Sequence, residues 1–268
     1  MALDNYYIKG CISGMSGIIL SHPIDSIKTH YQTKLKTTKP FEFTIKNLYR
    51  GITSPLIGVG IEKAIVFGTY NYINNYINNN YINNNNINNN NIIIISGAIS
   101  GLTASLIVTP YERIKIMKQT NQIIKTNQYF NPLFMYKGLS ATFTREVPGF
   151  AIYFSTYEGL KSHFYKNKEI TILSSFIFGG MSGTMAWIFI YPQDRIKTII
   201  QSNNQADIST MNIIKSTING GFIKTLLSFY KGFSFAIGRA ILLHSGTFAT
   251  MEMLNKKSIE NKLDSFNY

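Results

Sequence analysis

Acidic residues, cysteine and tryptophan are scarce in this chain: 13 Asp and Glu stand against 26 Lys and Arg, with one Cys and one Trp in 268 residues. Cys11 has no second cysteine to bond, so a disulfide framework and a cysteine-ligated metal site are both excluded. Its ordinary place is a helix-packing position. Charged residues of either sign reach only 15 % while apolar ones reach 45 %, against roughly 25 % charge in soluble domains. That balance favours a membrane. The start, MALDNYYIKG, shows neither a cleavable signal pattern nor an Arg-rich amphipathic leader. The sequence also lacks G-x-G-x-x-G after a strand, G-x-x-x-x-G-K-[ST], G-x-S-x-G and H-E-x-x-H. His22, His30, His163 and His244 are scattered, and His22 and His244 suit packing or cavity lining better than ligation. An enzyme is not expected, nor a metal or other cofactor. The net charge of +13 asks for an anionic partner. Its basic residues lie between apolar segments and form no stripe or tail, so a lipid surface is expected and nucleic acid is not.

What the chain does have is a threefold internal repeat. Pro23-Ile24-Asp25-Ser26-Ile27-Lys28, Pro110-Tyr111-Glu112-Arg113-Ile114-Lys115 and Pro192-Gln193-Asp194-Arg195-Ile196-Lys197 share the form P-x-[DE]-x-x-K. Nine residues after each proline stands a glutamine: Gln32, Gln119 and Gln201. Farther on come Tyr49-Arg50-Gly51, Tyr136-Lys137-Gly138 and Tyr230-Lys231-Gly232. The proline-to-glycine spacing is 28, 28 and 40, so the third copy has a longer connection. Before each hexad an apolar stretch carries glycines four apart, Gly10 and Gly14, Gly97 and Gly101, Gly179 and Gly183, a spacing that lets membrane helices approach closely. After each Y-[RK]-G a second apolar stretch follows, at about 54–72, 141–160 and 233–254. Two stretches per copy predict six spans, each near the roughly 20 residues a bilayer needs. Several hold a mid-span charge that hides them from hydropathy alone. The asparagine-rich stretch 74–91 is expected to be a disordered loop. The repeats then fall at 1–73, 92–169 and 170–268.

Three hexads with their glutamines, Gly-xxx-Gly pairs and Y-[RK]-G triplets resemble the mitochondrial carrier family, from about Lys9 to Leu254. The resemblance implies an all-α, multi-pass inner-membrane protein: six tilted helices in a pseudo-threefold bundle around a water-filled cavity, with a short matrix surface helix in each repeat. It implies a monomer that transports a small molecule by alternating access. The chemistry of the hexad is consistent with this. Pro23, Pro110 and Pro192 each remove a backbone hydrogen bond and kink their helix. The acid and the lysine three residues on can pair between copies, Asp25 with Lys115, Glu112 with Lys197 and Asp194 with Lys28, closing a ring at the matrix end. Gln32, Gln119 and Gln201 can brace it. Ionised groups at membrane depth persist only when paired or wetted. The sequence departs from the family at His30, where a basic residue is usual. It departs again in the [FY]-[DE]-x-x-[KR] pattern of the even helices, kept only at Tyr157-Glu158-Gly159-Leu160-Lys161. Asn71 with Asn74, and Met251-Glu252 with Asn255, replace it elsewhere. A weak gate facing the intermembrane space is expected.

Seven residues past the three triplet glycines stand Gly58, Arg145 and Arg239, the positions at which the resemblance implies substrate contact. Glu146 adjoins Arg145, and Glu62 lies one helical turn beyond Gly58. Two carboxylates and two guanidiniums suit a ligand that bears both signs. For a basic amino acid, Arg239 would hold the carboxylate, Glu146 the α-amino group and Glu62 the distal cation, while Arg145 orients Glu146 or shares the carboxylate. The sequence around these residues resembles the ornithine, arginine and lysine branch, with the carnitine/acylcarnitine branch as the alternative. Phosphate-bearing cargo is disfavoured by the two acids. A bland reading has Glu62, Lys63, Arg145, Glu146 and Arg239 pairing only to hold the bundle, and a second competitor is a non-transporting adaptor on the same scaffold. Cardiolipin is expected at the helix starts Gly51, Gly138 and Gly232, beside Arg50, Lys137 and Lys231.

Overall fold

The computed structural model describes residues 5–33, 43–81, 89–119, 131–136, 138–166, 168–202, 230 and 233–266. All regular structure among them is helical: α1 (Tyr6–Thr33), α2 (Ile45–Leu48), α3 (Thr53–Tyr81), α4 (Asn89–Gln119), α5 (Pro132–Met135), α6 (Leu139–Phe164), α7 (Ile172–Ser202) and α8 (Phe233–Phe266). The six long helices run from 26 to 34 residues, longer than the stretches that hydropathy outlines. Each hexad proline lies inside its helix, Pro23 in α1, Pro110 in α4 and Pro192 in α7, and α6 carries a further proline, Pro148.

The long helices close into a ring in chain order. Each packs on its neighbours in sequence, and α1 packs on α8. Glycine makes the close approaches possible. A Cβ at Gly101 would fall on the carbonyl oxygen of Glu146 and 3.0 Å from Val147 Cα, and one at Gly10 would fall on the carbonyl of Lys63, 3.1 Å from Ala64 Cα. The α1–α8 seam is polar as well as close, with Ser16 Oγ 2.6 Å from Thr250 Oγ1 and Lys9 Nζ donating to Asn255 Oδ1 at 2.9 Å.

Polarity runs opposite to that of a soluble bundle. Ser13, Ser21, Ser96, Ser100, Ser105, Ser175 and Ser182 are fully buried, whereas Leu173, Ile177, Met181, Met185 and Ile188 form an exposed apolar stripe along α7. Several of these hydroxyls donate to a carbonyl on their own helix, Ser100 to Gly97 O (2.7 Å), Ser105 to Gly101 O (2.7 Å) and Ser182 to Gly179 O (2.9 Å). Small residues inside and apolar ones outside is the packing of helices in lipid. By composition alone only Asn89–Ile114 and Ile172–Asp194, among the described residues, are apolar enough to span. The other long helices carry interior charges such as Lys9, Glu62, Arg145 and Arg239.

α2 and α5 are one-turn helices between the long pair of the first and second repeats, as the resemblance implies. Thr44 and Asn131 cap them, their side-chain oxygens accepting from Asn47 N and Leu133 N. The corresponding connection of the third repeat lies outside the described residues. The asparagine-rich segment departs from expectation: α3 continues to Tyr81 and α4 begins at Asn89, leaving only 82–88 outside the described residues. Its asparagines bond along the helix, Asn78 Nδ2 to Asn74 Oδ1 at 3.0 Å and Asn80 Nδ2 to Tyr76 O at 2.7 Å. Isoleucine and tyrosine recurring between them supply the rest, so low complexity does not preclude helix here.

The end opposite the hexads is packed with aromatic rings. Phe67, Phe154 and Phe248 stand sixteen residues after Gly51, Gly138 and Gly232, and the ring of Phe67 meets those of the other two edge-on at 5.4 and 5.7 Å. Tyr70 stacks on Phe154 at 3.8 Å and Tyr157 on Phe248 at 3.5 Å. Where two copies lack the full charged pattern, this end is packed with stacked rings.

Gly101→Ala is expected to destabilise the protein by about 1–3 kcal/mol through overpacking. Gly159→Ala, at an exposed helical glycine with nothing within 4 Å of its Cβ, is expected to be neutral or stabilising by up to about 1 kcal/mol. Thermal melting of both variants in detergent checks the contrast; equal melting temperatures would refute it.

Candidate functional site

Beneath the aromatic end lies a cavity of about 240 Å³. Every residue expected to contact substrate lines it: Gly58 and Glu62 from α3, Arg145 and Glu146 from α6, Arg239 from α8. Lys63, Tyr111, Glu112, Phe150, Tyr153, Trp187 and His244 complete much of the wall. Gly58 is a glycine for space, since a Cβ there would sit 2.6 Å from the Tyr111 hydroxyl and 2.8 Å from its ring. Tyr111 in turn donates to Ser54 O at 3.3 Å, tying α4 to α3.

Arg145 is the hub of the charged wall. Its Nη1 donates to Asp194 Oδ1 at 3.0 Å, its Nη2 to Glu112 Oε1 at 3.1 Å, and Nη2 also meets Glu146 Oε1. One guanidinium thus joins α4, α6 and α7, and joins two hexad acids to the expected substrate site. Arg239 does the same for the first hexad, its Nε donating to Asp25 Oδ2 at 2.8 Å. The planar, forked head of arginine permits this division among acceptors where lysine would act as a point charge.

These contacts add to the expected pairings. Each arginine of the cavity wall bonds hexad acids, Arg145 bonding Glu112 and Asp194 and Arg239 bonding Asp25. The hexad side chains of Lys28, Lys115, Lys197, Gln32, Gln119 and Gln201 lie outside the described residues, as do Lys137, Lys231 and Gly232. Glu62 does not stand alone in the cavity, for Lys63 Nζ lies 3.4 Å from its Oε1. Lys63 is 2 % exposed and its ammonium lies over the Phe150 ring. His244 lines the cavity as expected, 3.2 Å from the Tyr153 hydroxyl through Nδ1.

Sequence reasoning missed Phe150 and Tyr153 as wall residues and passed over Lys63 as a mere structural partner. A signal for two of them was present. Twelve residues past each triplet glycine stand Lys63, Phe150 and His244, one layer above Gly58, Arg145 and Arg239. Counting on by five residues finds that layer. At the helix starts, Gly51 and Gly138 have positive φ, 80° and 94°. Gly138 caps α6 with no side-chain hydrogen bond, and Arg50 is exposed beside Gly51.

Arg145→Gln is expected to lower stability by about 3 kcal/mol, the cost of leaving buried partners uncompensated, and to abolish uptake. Thermal melting and reconstituted uptake check this; a variant that melts like the parent would show the three-acid hub to be idle.

A family model described as mitochondrial carrier protein matches residues 4–81, 92–168 and 168–262, one block per repeat. The mitochondrial glycine transporter YMC1 of Saccharomyces cerevisiae is 29 % identical, over 92 % of this chain and 89 % of its own length. The mitochondrial ornithine transporter 1 of the same yeast is 29 % identical, over 92 % and 94 %. The yeast mitochondrial carnitine carrier is 26 % identical, over 92 % and 85 %.

Proposed function

Since the chain belongs to the mitochondrial carrier family, and is accordingly a multi-pass transporter of small molecules in the mitochondrial inner membrane and not an enzyme, we propose that its cargo is an amino acid, foremost a basic one. The observation that carries this reading is the meeting of Glu62, Arg145, Glu146 and Arg239 in one cavity. Cargo with both a carboxylate and an amino group offers each sign a partner, and a dibasic amino acid offers Glu62 one as well. Relatives that carry ornithine and glycine support an amino acid. Carnitine is the alternative, supported by the carnitine carrier among the relatives. The Glu62–Lys63 pair favours one second reading in particular, a neutral amino acid, since Lys63 already neutralises that acid.

In this reading Arg145 and Arg239 link cargo to gate. A substrate carboxylate that engages either arginine competes with Asp25, Glu112 or Asp194 for the same N–H groups, so binding alters the acids that the hexad ring uses. Alternating access then follows from competition among acceptors. The cavity lies within one chain's ring of helices, which supports a monomer as the transporting unit.

The test is uptake into proteoliposomes of ornithine, arginine, lysine, glycine and carnitine. Glu62→Gln is expected to lower arginine uptake relative to citrulline roughly tenfold or more, the worth of one charge-assisted contact. An unchanged ratio would remove the dibasic reading, and uptake of carnitine alone would replace it. Uptake of none of them would remove both the amino acid and the carnitine readings of the cargo.

Cardiolipin is proposed at the starts of α3 and α6, where the first-turn N–H groups and the positive helix end suit phosphate. Arg50 and Lys137 add charge. Native mass spectrometry is expected to show cardiolipin retained over a monoanionic phospholipid, with retention reduced in Arg50→Ala; equal retention of both lipids would refute the site.

A further inference from the structure

Lys63 is the least expected charge in the molecule. It is 2 % exposed, in the middle of a spanning helix, and the equivalent positions in the other two copies are Phe150 and His244. A buried ammonium at that depth is costly unless partnered, so its surroundings show what the site is built to hold.

The stem is clamped. A Cβ at Gly14 of α1 would lie 2.7 Å from Lys63 Cβ and 2.8 Å from its Cγ. The head is received by groups from α3 and α6. Nζ lies 4.6 Å from the Phe150 ring centroid, 5.4 Å from that of Tyr153 and 3.4 Å from Glu62 Oε1. The Tyr153 ring is itself held, by His244 at its hydroxyl and by the Phe248 ring at 4.9 Å. Two aromatic faces and one carboxylate form a receptor for a single organic cation, because the rings turn their negative faces to the charge and the acid supplies the counter-ion. The same wall faces the cavity.

We propose that Glu62, Phe150 and Tyr153 form the cation seat of the transport site and that Lys63 is its tethered occupant, in competition with the cationic end of an incoming ligand. The ligand class is a primary ammonium, a guanidinium or a quaternary ammonium borne by a small metabolite. This deepens the amino acid reading and rests on it only for the identity of the cargo. While the cavity is empty, Lys63 keeps Glu62 neutralised. When a cationic ligand enters, it must displace an ammonium whose tether gives it a high effective concentration. Lys63 therefore lowers affinity for every ligand that needs the seat, and by that means sets how strongly the carrier prefers a dibasic cargo to a neutral one.

The sign of the prediction is unusual, since removing a wall residue should tighten binding. Purified parent, Lys63→Met, Lys63→Arg and the double variant Glu62→Gln/Lys63→Met would be titrated with agmatine, a guanidinium compound without a carboxylate, and with arginine. Binding would be read by calorimetry and thermal shift. Lys63→Met is expected to bind agmatine about tenfold more tightly than the parent, and its preference for arginine over glycine should rise. Lys63→Arg, which refills the seat, should match the parent, and the double variant should lose the gain. Lys63→Gln, closer in length and polarity, is titrated alongside in case Lys63→Met melts before ligand is added. No tightening in either neutral variant, or a gain that survives loss of Glu62, would overturn the proposal. Failure of the amino acid reading would appear elsewhere, as absent amino acid uptake by the parent, while agmatine would still report on the seat.

Discussion

A guanidinium shared among three carboxylates is the constraint around which the interior is arranged. Arg145 reaches Glu112 on α4, Asp194 on α7 and its own neighbour Glu146. Three acids converging without a central cation would repel one another at short range in a poorly screened interior. With it, three helices acquire a common point of attachment at the level of the cavity. A transporter gains from such a point because the attachment is polar and exchangeable. Apolar packing of equal strength would hold the helices as well but would offer a carboxylate nothing with which to compete.

The aromatic end solves a different problem. Stacked rings such as Tyr70 on Phe154 and Tyr157 on Phe248 pack this end of the bundle, with the buried Lys9 held by Asn255 at the same end. The two ends of the cavity thus differ in emphasis, the first rich in arginine–carboxylate pairs and the second in ring contacts. Ionic strength and lipid charge should bear on the first far more than on the second.

The threefold repeat was legible because its parts are backbone requirements: glycines where helices touch, prolines within α1, α4 and α7, and the positive-φ glycines Gly51 and Gly138 before α3 and α6. Gly58, Glu62, Arg145, Glu146 and Arg239 were legible as one wall because a fixed count from those glycines fixes depth in the bundle. The partners of the wall residues were not. Whether Arg145 turns to Glu146 alone or also to Glu112 and Asp194 depends on side-chain rotamers and on how near α4 and α7 stand, and neither is a property of spacing. The Glu62–Lys63 pair was legible only as one of several pairings open to the five charges, because spacing alone does not say which neighbour an acid turns to. The extent of helix in the asparagine-rich segment was missed because composition was weighed there without the intrahelical bonds of Asn78 and Asn80.

Ring closure through α1 and α8 also bears on how the protein is made. The hub at Arg145 needs only α4, α6 and α7, so it can form before the last helix is in place. Lys9 and Asp25 acquire Asn255 and Arg239 only when α8 docks. A chain halted before α8 would present the polar seam of α1, with Ser16 and Lys9, to acyl chains. The polar α1–α8 seam is therefore covered only in the complete ring of six long helices.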